Sequence, residues 1–255
     1  MDDIDLKLLE GRNNYRYPTA YLSDVSGLKV NREGKPPVDR PVPATSEERQ
    51  RMGQNAWLTH HKDLLSSGDP NKAILGVMSV CYWGFYAGAD PERRPTEGRA
   101  LTRAMWVRDG IDENTICEQL EDIFTALENG DVKSAMLSVR HISQFGSTSF
   151  ASKLLSAMAP ELCGTHDSVV KEDLVKAGGK WAELAVAQGP IKDKTAEAYA
   201  KWCAQLVKRA DEMNALGSGA GWQELGSGAR NRWRALDVER GLFYSHDATV
   251  LGELE

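Results

Sequence analysis

Residues 135–167 read AMLSVRHISQFGSTSFASKLLSAMAPELCGTHD. An apolar helical run breaks at Gln144-Phe145-Gly146, restarts on Ser147-Thr148-Ser149, and reaches a lone acid, Asp167, after a short polar loop. The pattern predicts two helices joined by a tight, glycine-containing turn. The first ends at about Ile142, Phe145 plugs the core from within the turn, and Ser147 or Thr148 caps the second. Such a turn presents successive backbone N–H groups outward, a concavity suited to an anion such as a phosphate.

Upstream, residues 1–45 carry five of the ten prolines and little periodicity, which predicts an extended arm with short local structure. Helical patterning begins at Ser46, where Thr45-Ser46-Glu47-Glu48 is a capped start, and resumes at Asp69-Pro70 with proline in the first turn. Further starts fall at Arg94-Pro95-Thr96, Asp112-Glu113 and Gly130-Asp131. Beyond Asp167 the spacing predicts a helix to about Ala177, a break at Gly178-Gly179, and a long helix from about Lys194 to Leu216 with Tyr199, Trp202, Leu206 and Met213 inward. A glycine-serine loop follows over 217–229, then a last helix from about Ala229 to Tyr244. The glycine stretch lacks GxxxxGK[ST] and no strand precedes it, so it is no phosphate cradle. Strand-like alternation is scarce, and the fold class is all-α.

A chain of 255 residues with 41% hydrophobic residues can bury a sizeable core. Cys81, Cys117, Cys163 and Cys203 stand 36, 46 and 40 positions apart, too far for a zinc or iron-sulfur pattern, and His60-His61 belongs to no HExxH motif. Buried thiols, no metal and no cofactor are expected. The acidic start Met1-Asp2-Asp3-Ile4-Asp5 and the lack of an apolar run near 18 residues predict a cytoplasmic protein without a membrane partner. Net charge is −6, yet arginines cluster at 93, 94, 99 and 103 and at 230, 232, 234 and 240. A local basic face of that kind can bind nucleic acid on an acidic protein.

The segment around the turn resembles the helix-hairpin-helix, whose usual turn is Gly-hydrophobic-Gly; Gln144 stands at the first glycine here. In base-excision glycosylases built on that hairpin, an aspartate stands some twenty positions after the turn, and Asp167 lies 21 after Gly146. WRALDVERGLF (Trp233–Phe243) resembles the C-terminal helix of the 8-oxoguanine-glycosylase-fold branch. CYWGFYAG (Cys81–Gly88) and FASKLLSAMAPELCGTHDSVV (Phe150–Val170) are similar to that branch's bacterial members. The resemblance covers about residues 70–245 and implies a two-lobed helical bundle over 46–255, with the hairpin at 131–159.

That family's chemistry implies that the enzyme swings a nucleotide out of double-stranded DNA and cuts the bond between base and deoxyribose. Asp167 is the implied catalytic carboxylate. Glu239, Phe243, Asp237 and Thr148 form the implied base pocket, with Phe243 stacking and Glu239 the polar contact. Gln144, Gly146, Ser147, Ser149, Arg93, Arg94, Arg230 and Arg232 are the implied backbone contacts. Bifunctional members carry a lysine where Thr148 stands, and Lys153, five residues on, is expected to face elsewhere; a monofunctional, hydrolytic enzyme follows. The leading substrate is glucosylated hydroxymethylcytosine in phage DNA, removed in antiviral defence, with an oxidised purine such as 8-oxoguanine as the alternative. Two other readings are a non-catalytic helical DNA-binding module in which Asp167 only caps a helix, and an interaction protein that docks through Trp83, Phe85 and Tyr86. Trp83, Tyr86 and Gln144 are candidate wedges.

Overall fold

The computed structural model describes residues 1, 3–15, 19–23, 42–86, 97–177, 182–224 and 230–245. They are mostly helical, as the all-α reading expects, with only two short strand pairs. The helices are α1 (Asp3–Asn14), α2 (Ser46–Arg51), α3 (Gln54–Leu65), α4 (Pro70–Tyr86), α5 (Glu97–Asp109), α6 (Ile116–Glu128), α7 (Val132–Val139), α8 (Thr148–Met158), α9 (Ser168–Ala177), α10 (Asp193–Ala215) and α11 (Ala235–Ser245). Among the described residues no helix is long and apolar enough to cross a membrane. The chain divides into two compact units, one of Tyr17–Leu120 with Ile142–Gln144, the other of Met1–Arg16, Glu121–His141 and Phe145–Glu255.

In the first unit α4 packs against α3 and α5. Thr45 closes a capping box with Glu48 at the start of α2, and Asp69 caps α4 by accepting from the amides of Asn71 and Lys72. Ala73 to Trp83 of α4 are buried on every side, as its nearly all-apolar sequence requires. Inside this unit the amide of Leu22 donates to Ser79 Oγ at 2.9 Å, and Ser79 Oγ lies 2.7 Å from His61 Nε2. His61 Nδ1 lies 2.8 Å from the Trp57 carbonyl, which can only accept, so Nδ1 carries the proton and Nε2 accepts from the serine hydroxyl. Burial holds this imidazole at a pKa of about 3, hence neutral, with the Trp57 carbonyl opposing and His60 adding to the effect.

In the second unit α1 lies along α11, and α10 contacts both α7 and α11. Residues 3–14 are therefore a helix, a correction to the extended arm. Their first turn carries Asp3 and Asp5, which suit the positive end of a helix dipole, and Asp5 pairs with Arg209 of α10 at 2.5 Å. Arg12 reaches the fully buried Asp237 of α11 at 2.8 Å and stacks 3.6 Å from the centre of the Trp222 ring. α1 and α11 touch at Gly241, where an added Cβ would lie 2.8 Å from the Leu8 carbonyl oxygen and 2.7 Å from Leu8 Cδ1. Gly241→Ala is accordingly expected to lower stability by about 1–3 kcal/mol, read from the shift in urea midpoint. An unchanged midpoint would mean that α1 does not dock there.

The last helix starts at Ala235, six residues later than its periodicity predicts. Residues 222–223 pair antiparallel with 230–231, and the Trp222 and Trp233 indoles donate to the carbonyls of Arg232 and Ala220 at 3.0 and 2.7 Å. Asp237 then takes the amide of Arg234 at 3.3 Å, an N-terminal cap that closes the helix start. Tyr199, Trp202, Leu206 and Met213 of α10 are buried as expected.

Candidate functional site

Asp131 starts α7 by accepting from the Ser134 amide at 2.9 Å, and the helix ends at Val139, a turn earlier than the sequence suggests. Phe145 is fully buried, as its place in the turn predicts. Gln144 is exposed and has φ of 69°, the only positive φ among the described non-glycine residues. That left-handed conformation costs a residue with a Cβ about 1 kcal/mol. The turn thus holds a glycine-like backbone at a residue that carries a side chain. Gln144→Gly is expected to raise stability by up to about 1 kcal/mol in chemical denaturation, because relief of strain outweighs the added freedom of the unfolded chain. A loss of stability would show that the glutamine side chain holds the turn.

Segment 189–191 backs the hairpin. Gly189 accepts the Thr148 amide at 3.1 Å, and Gly146 accepts the Ile191 amide at 3.1 Å. The predicted phosphate grip from Gly146 to Ser149 therefore lacks the Thr148 amide, which is already taken. Ser147 is the N-cap of α8 but its hydroxyl makes no capping bond, and Ser149 Oγ accepts from Lys153 Nζ at 3.2 Å. Thr148 is fully buried and donates its hydroxyl to the Ala187 carbonyl at 2.8 Å. It is an anchor of α8, not a lining residue of the pocket described below.

Asp167 caps α9: its Oδ1 accepts from the amides of Val169 and Val170 at 3.0 and 3.2 Å. Its Oδ2 lies 3.8 Å from Lys153 Nζ. The expectation that Lys153 faces elsewhere is corrected by this pair. Ser152 Oγ accepts the His166 amide at 2.9 Å and so folds the loop back onto α8 at the turn that carries Lys153. The lysine is 5% exposed and the Asp167 side chain 22%, so the carboxylate keeps an open edge while its counter-ion is enclosed.

His166, just before Asp167, is held at both ring nitrogens, with the Val186 amide nitrogen 3.2 Å from Nε2 and the Gln188 side-chain amide 3.0 Å from Nδ1. Burial lowers this imidazole to a pKa of about 4 despite Asp167 beside it.

A pocket opens against α9, α10 and α11. Val170, Asp173 and Leu174 line one side, Trp202 a second, and Glu239 and Phe243 a third. Its cavity is about 10 Å³, room for about one water. The predicted Glu239 and Phe243 both fall here, one helical turn from the Asp167 cap. Gly164 permits the close packing of the loop: a Cβ there would meet Leu206 Cδ1 at 2.4 Å and Glu239 Cβ at 3.0 Å. Burial, with Asp167 adding, raises the Glu239 carboxyl to about 7 against the hydrogen bond from Thr165 and the charges of Arg240 and Lys153. At neutral pH the group is shared between its donating, neutral form and its ionised form. Phe243 meets Tyr15 edge to face at 6.4 Å.

Asp237 is corrected. It is 0% exposed and held between Arg12 and Arg234, whose Nε lies 2.6 Å away. Burial raises its pKa, but the two guanidinium groups outweigh burial and keep the group ionised. It fastens α1 to α11 and lies off the pocket. Trp202 was legible only as an inward residue: it is 1% exposed, and its indole N–H has no acceptor among the described residues.

Of the predicted arginine contacts, Arg230 is exposed and donates to the carbonyls of Ser218 and Gly219, and Arg232 is exposed. Arg93 and Arg94 lie outside the described residues. Trp83 is 4% exposed and packs 4.8 Å from Trp57, which removes it both as a wedge and as a docking residue; Phe85 and Tyr86 are half-buried. Comparison of the chain with protein-family models, with curated proteins and with solved structures finds no match.

Proposed function

We propose that the chain is a monofunctional DNA glycosylase of helix-hairpin-helix type. The observation that carries this reading is that Glu239 and Phe243 line one pocket with Val170 of α9, the helix that Asp167 caps, and that Asp167, up to 76 positions away in the chain, is near enough to raise the Glu239 carboxyl. Cleavage breaks the bond between C1′ and the base nitrogen, whose electron pair leaves with the base, and a water oxygen bonds to C1′. The sugar passes through a cation resembling an oxocarbenium ion. Asp167 Oδ2 opposes that charge and takes the proton of the water, while Oδ1 stays on the α9 amides. Phe243 stacks on the extruded base, and Glu239 and the Trp202 N–H offer it polar contacts. A base is far larger than 10 Å³, so Phe243 and Leu242 swing aside on entry.

Hydrolysis without strand cleavage is supported by Thr148, which occupies the lysine position of bifunctional relatives, and by Lys153, whose ammonium is buried against Asp167. A modified base in phage DNA, with glucosylated hydroxymethylcytosine first, is the proposed substrate, and antiviral defence the proposed role.

Incubating the protein with phage genomes of differing base modification, followed by mass spectrometry of released bases, tests activity and substrate together. The expected product is a free modified base with alkali-labile sites left in the DNA, and no protein-DNA adduct under borohydride. An adduct would mean that the Lys153 amine reaches the sugar; release of no base from any genome or from 8-oxoguanine duplexes would leave only the DNA-binding module.

A further inference from the structure

Among the described residues only one aromatic side chain is left substantially exposed: Trp106 of α5, at 43%. Scattered surface leucines need no explanation, but an exposed tryptophan in an arginine setting does. Arg99, Arg103 and Trp106 stand at i, i+4 and i+7, which is one face of a helix. The Arg103 guanidinium lies 4.3 Å from the Trp106 ring centre and 5.3 Å from that of Phe85, a cation–π contact with each ring. Arg99 is exposed one turn earlier.

The end of this helix is fixed at Ser143. Ser143 Oγ donates to the Trp106 carbonyl at 3.4 Å, and a Cβ on Gly110 would strike Ser143 Oγ at 2.3 Å. Among the described residues, Glu113 is engaged by Arg108 at 2.7 Å, on the opposite face of α5 from Arg99 and Arg103.

We propose that Arg99, Arg103 and Trp106 form a nucleic-acid contact in which Trp106 stacks on an unpaired base and the arginines meet the flanking phosphates. Charge selects the partner. Two guanidinium groups beside an exposed indole match the alternating phosphates and ring faces of a strand. The occupant is a single-stranded or locally unstacked stretch, because a paired base has no free face to offer.

The test is fluorescence anisotropy with labelled oligonucleotides of ordinary bases, single-stranded and duplex, over a salt series. Trp106→Ala is expected to weaken single-strand binding about tenfold, with a smaller effect on duplex, and Trp106→Phe to keep most of the affinity. The double change Arg99→Gln with Arg103→Gln is expected to flatten the slope of log affinity against log salt by about 1–2. Circular dichroism checks that each variant folds. Single-strand affinity unchanged in Trp106→Ala overturns the proposal, and does so decisively if the same change lowers self-association in sedimentation, which would make the face a protein contact. The inference uses the DNA-binding part of the reading above but not excision. Strand binding through Trp106 without base release would keep this contact and sink the glycosylase; base release with unaltered binding in Trp106→Ala would do the reverse.

Discussion

Asp167→Asn should abolish base release, by about 10³-fold or more, and leave DNA affinity within about twofold. The substitution is nearly isosteric, and the asparagine carbonyl can still accept from the amides of Val169 and Val170. What disappears is the negative charge on the oxygen that faces Lys153 at 3.8 Å. Single-turnover release from a competent genome, with binding measured in parallel, separates the chemistry from the capping role. Full release by the variant would reduce Asp167 to a helix cap. Loss of binding together with release would point to a folding defect, which thermal unfolding of the variant detects.

The second large effect is an acid limb in stability. His61 has a pKa of about 3 in the folded chain and 6.5 when unfolded, so the unfolded chain takes up the proton first as pH falls. The contribution of His61 is complete above pH 6.5 and is lost progressively down to about 3. At roughly 1.4 kcal/mol per unit, His61 alone accounts for on the order of 5 kcal/mol. His166, at about 4, acts in the same direction. Glu239 acts in the opposite one: its folded value of about 7 stands above the unfolded 4.5, so its contribution is complete below 4.5 and fades as pH rises through 7. Urea midpoints at pH 4.5, 5.5, 7 and 8.5 measure the balance. The acid limb should become shallower in His61→Gln, while Glu239→Gln should gain on wild type at pH 8.5. Identical pH profiles for wild type and His61→Gln would show that this imidazole is not held neutral inside the fold.

Much of the architecture was readable because it rests on local rules. Thr45, Asp69 and Asp131 cap helices as their positions suggest, and α4 is buried all round because its sequence is apolar all round. The errors arise where tertiary contacts decide. Residues 3–14 show little periodicity alone and form a helix against α11, and residues 230–231, read from sequence as part of α11, instead pair with 222–223. In the site, Asp167, Glu239 and Phe243 were singled out by resemblance to a hairpin family, and of the three Glu239 and Phe243 line the pocket. Whether Lys153 lies near Asp167 depends on how the loop from Ala159 to His166 returns, which is set by Ser152 and Gly164 and has no signature in sequence. Asp237 and Glu239, two positions apart, looked alike as acids of one helix; only packing shows one locked between arginines and the other facing the pocket.

The tie between Arg12 and Asp237 joins positions 225 apart in the chain. A buried carboxylate stripped of its guanidinium costs about 3–5 kcal/mol, so neither residue can drift alone across generations without the other answering. Wherever descendants of this sequence have diverged, those two sites should therefore vary as a matched couple, with the ion pair exchanged as a whole for an apolar pair of similar bulk.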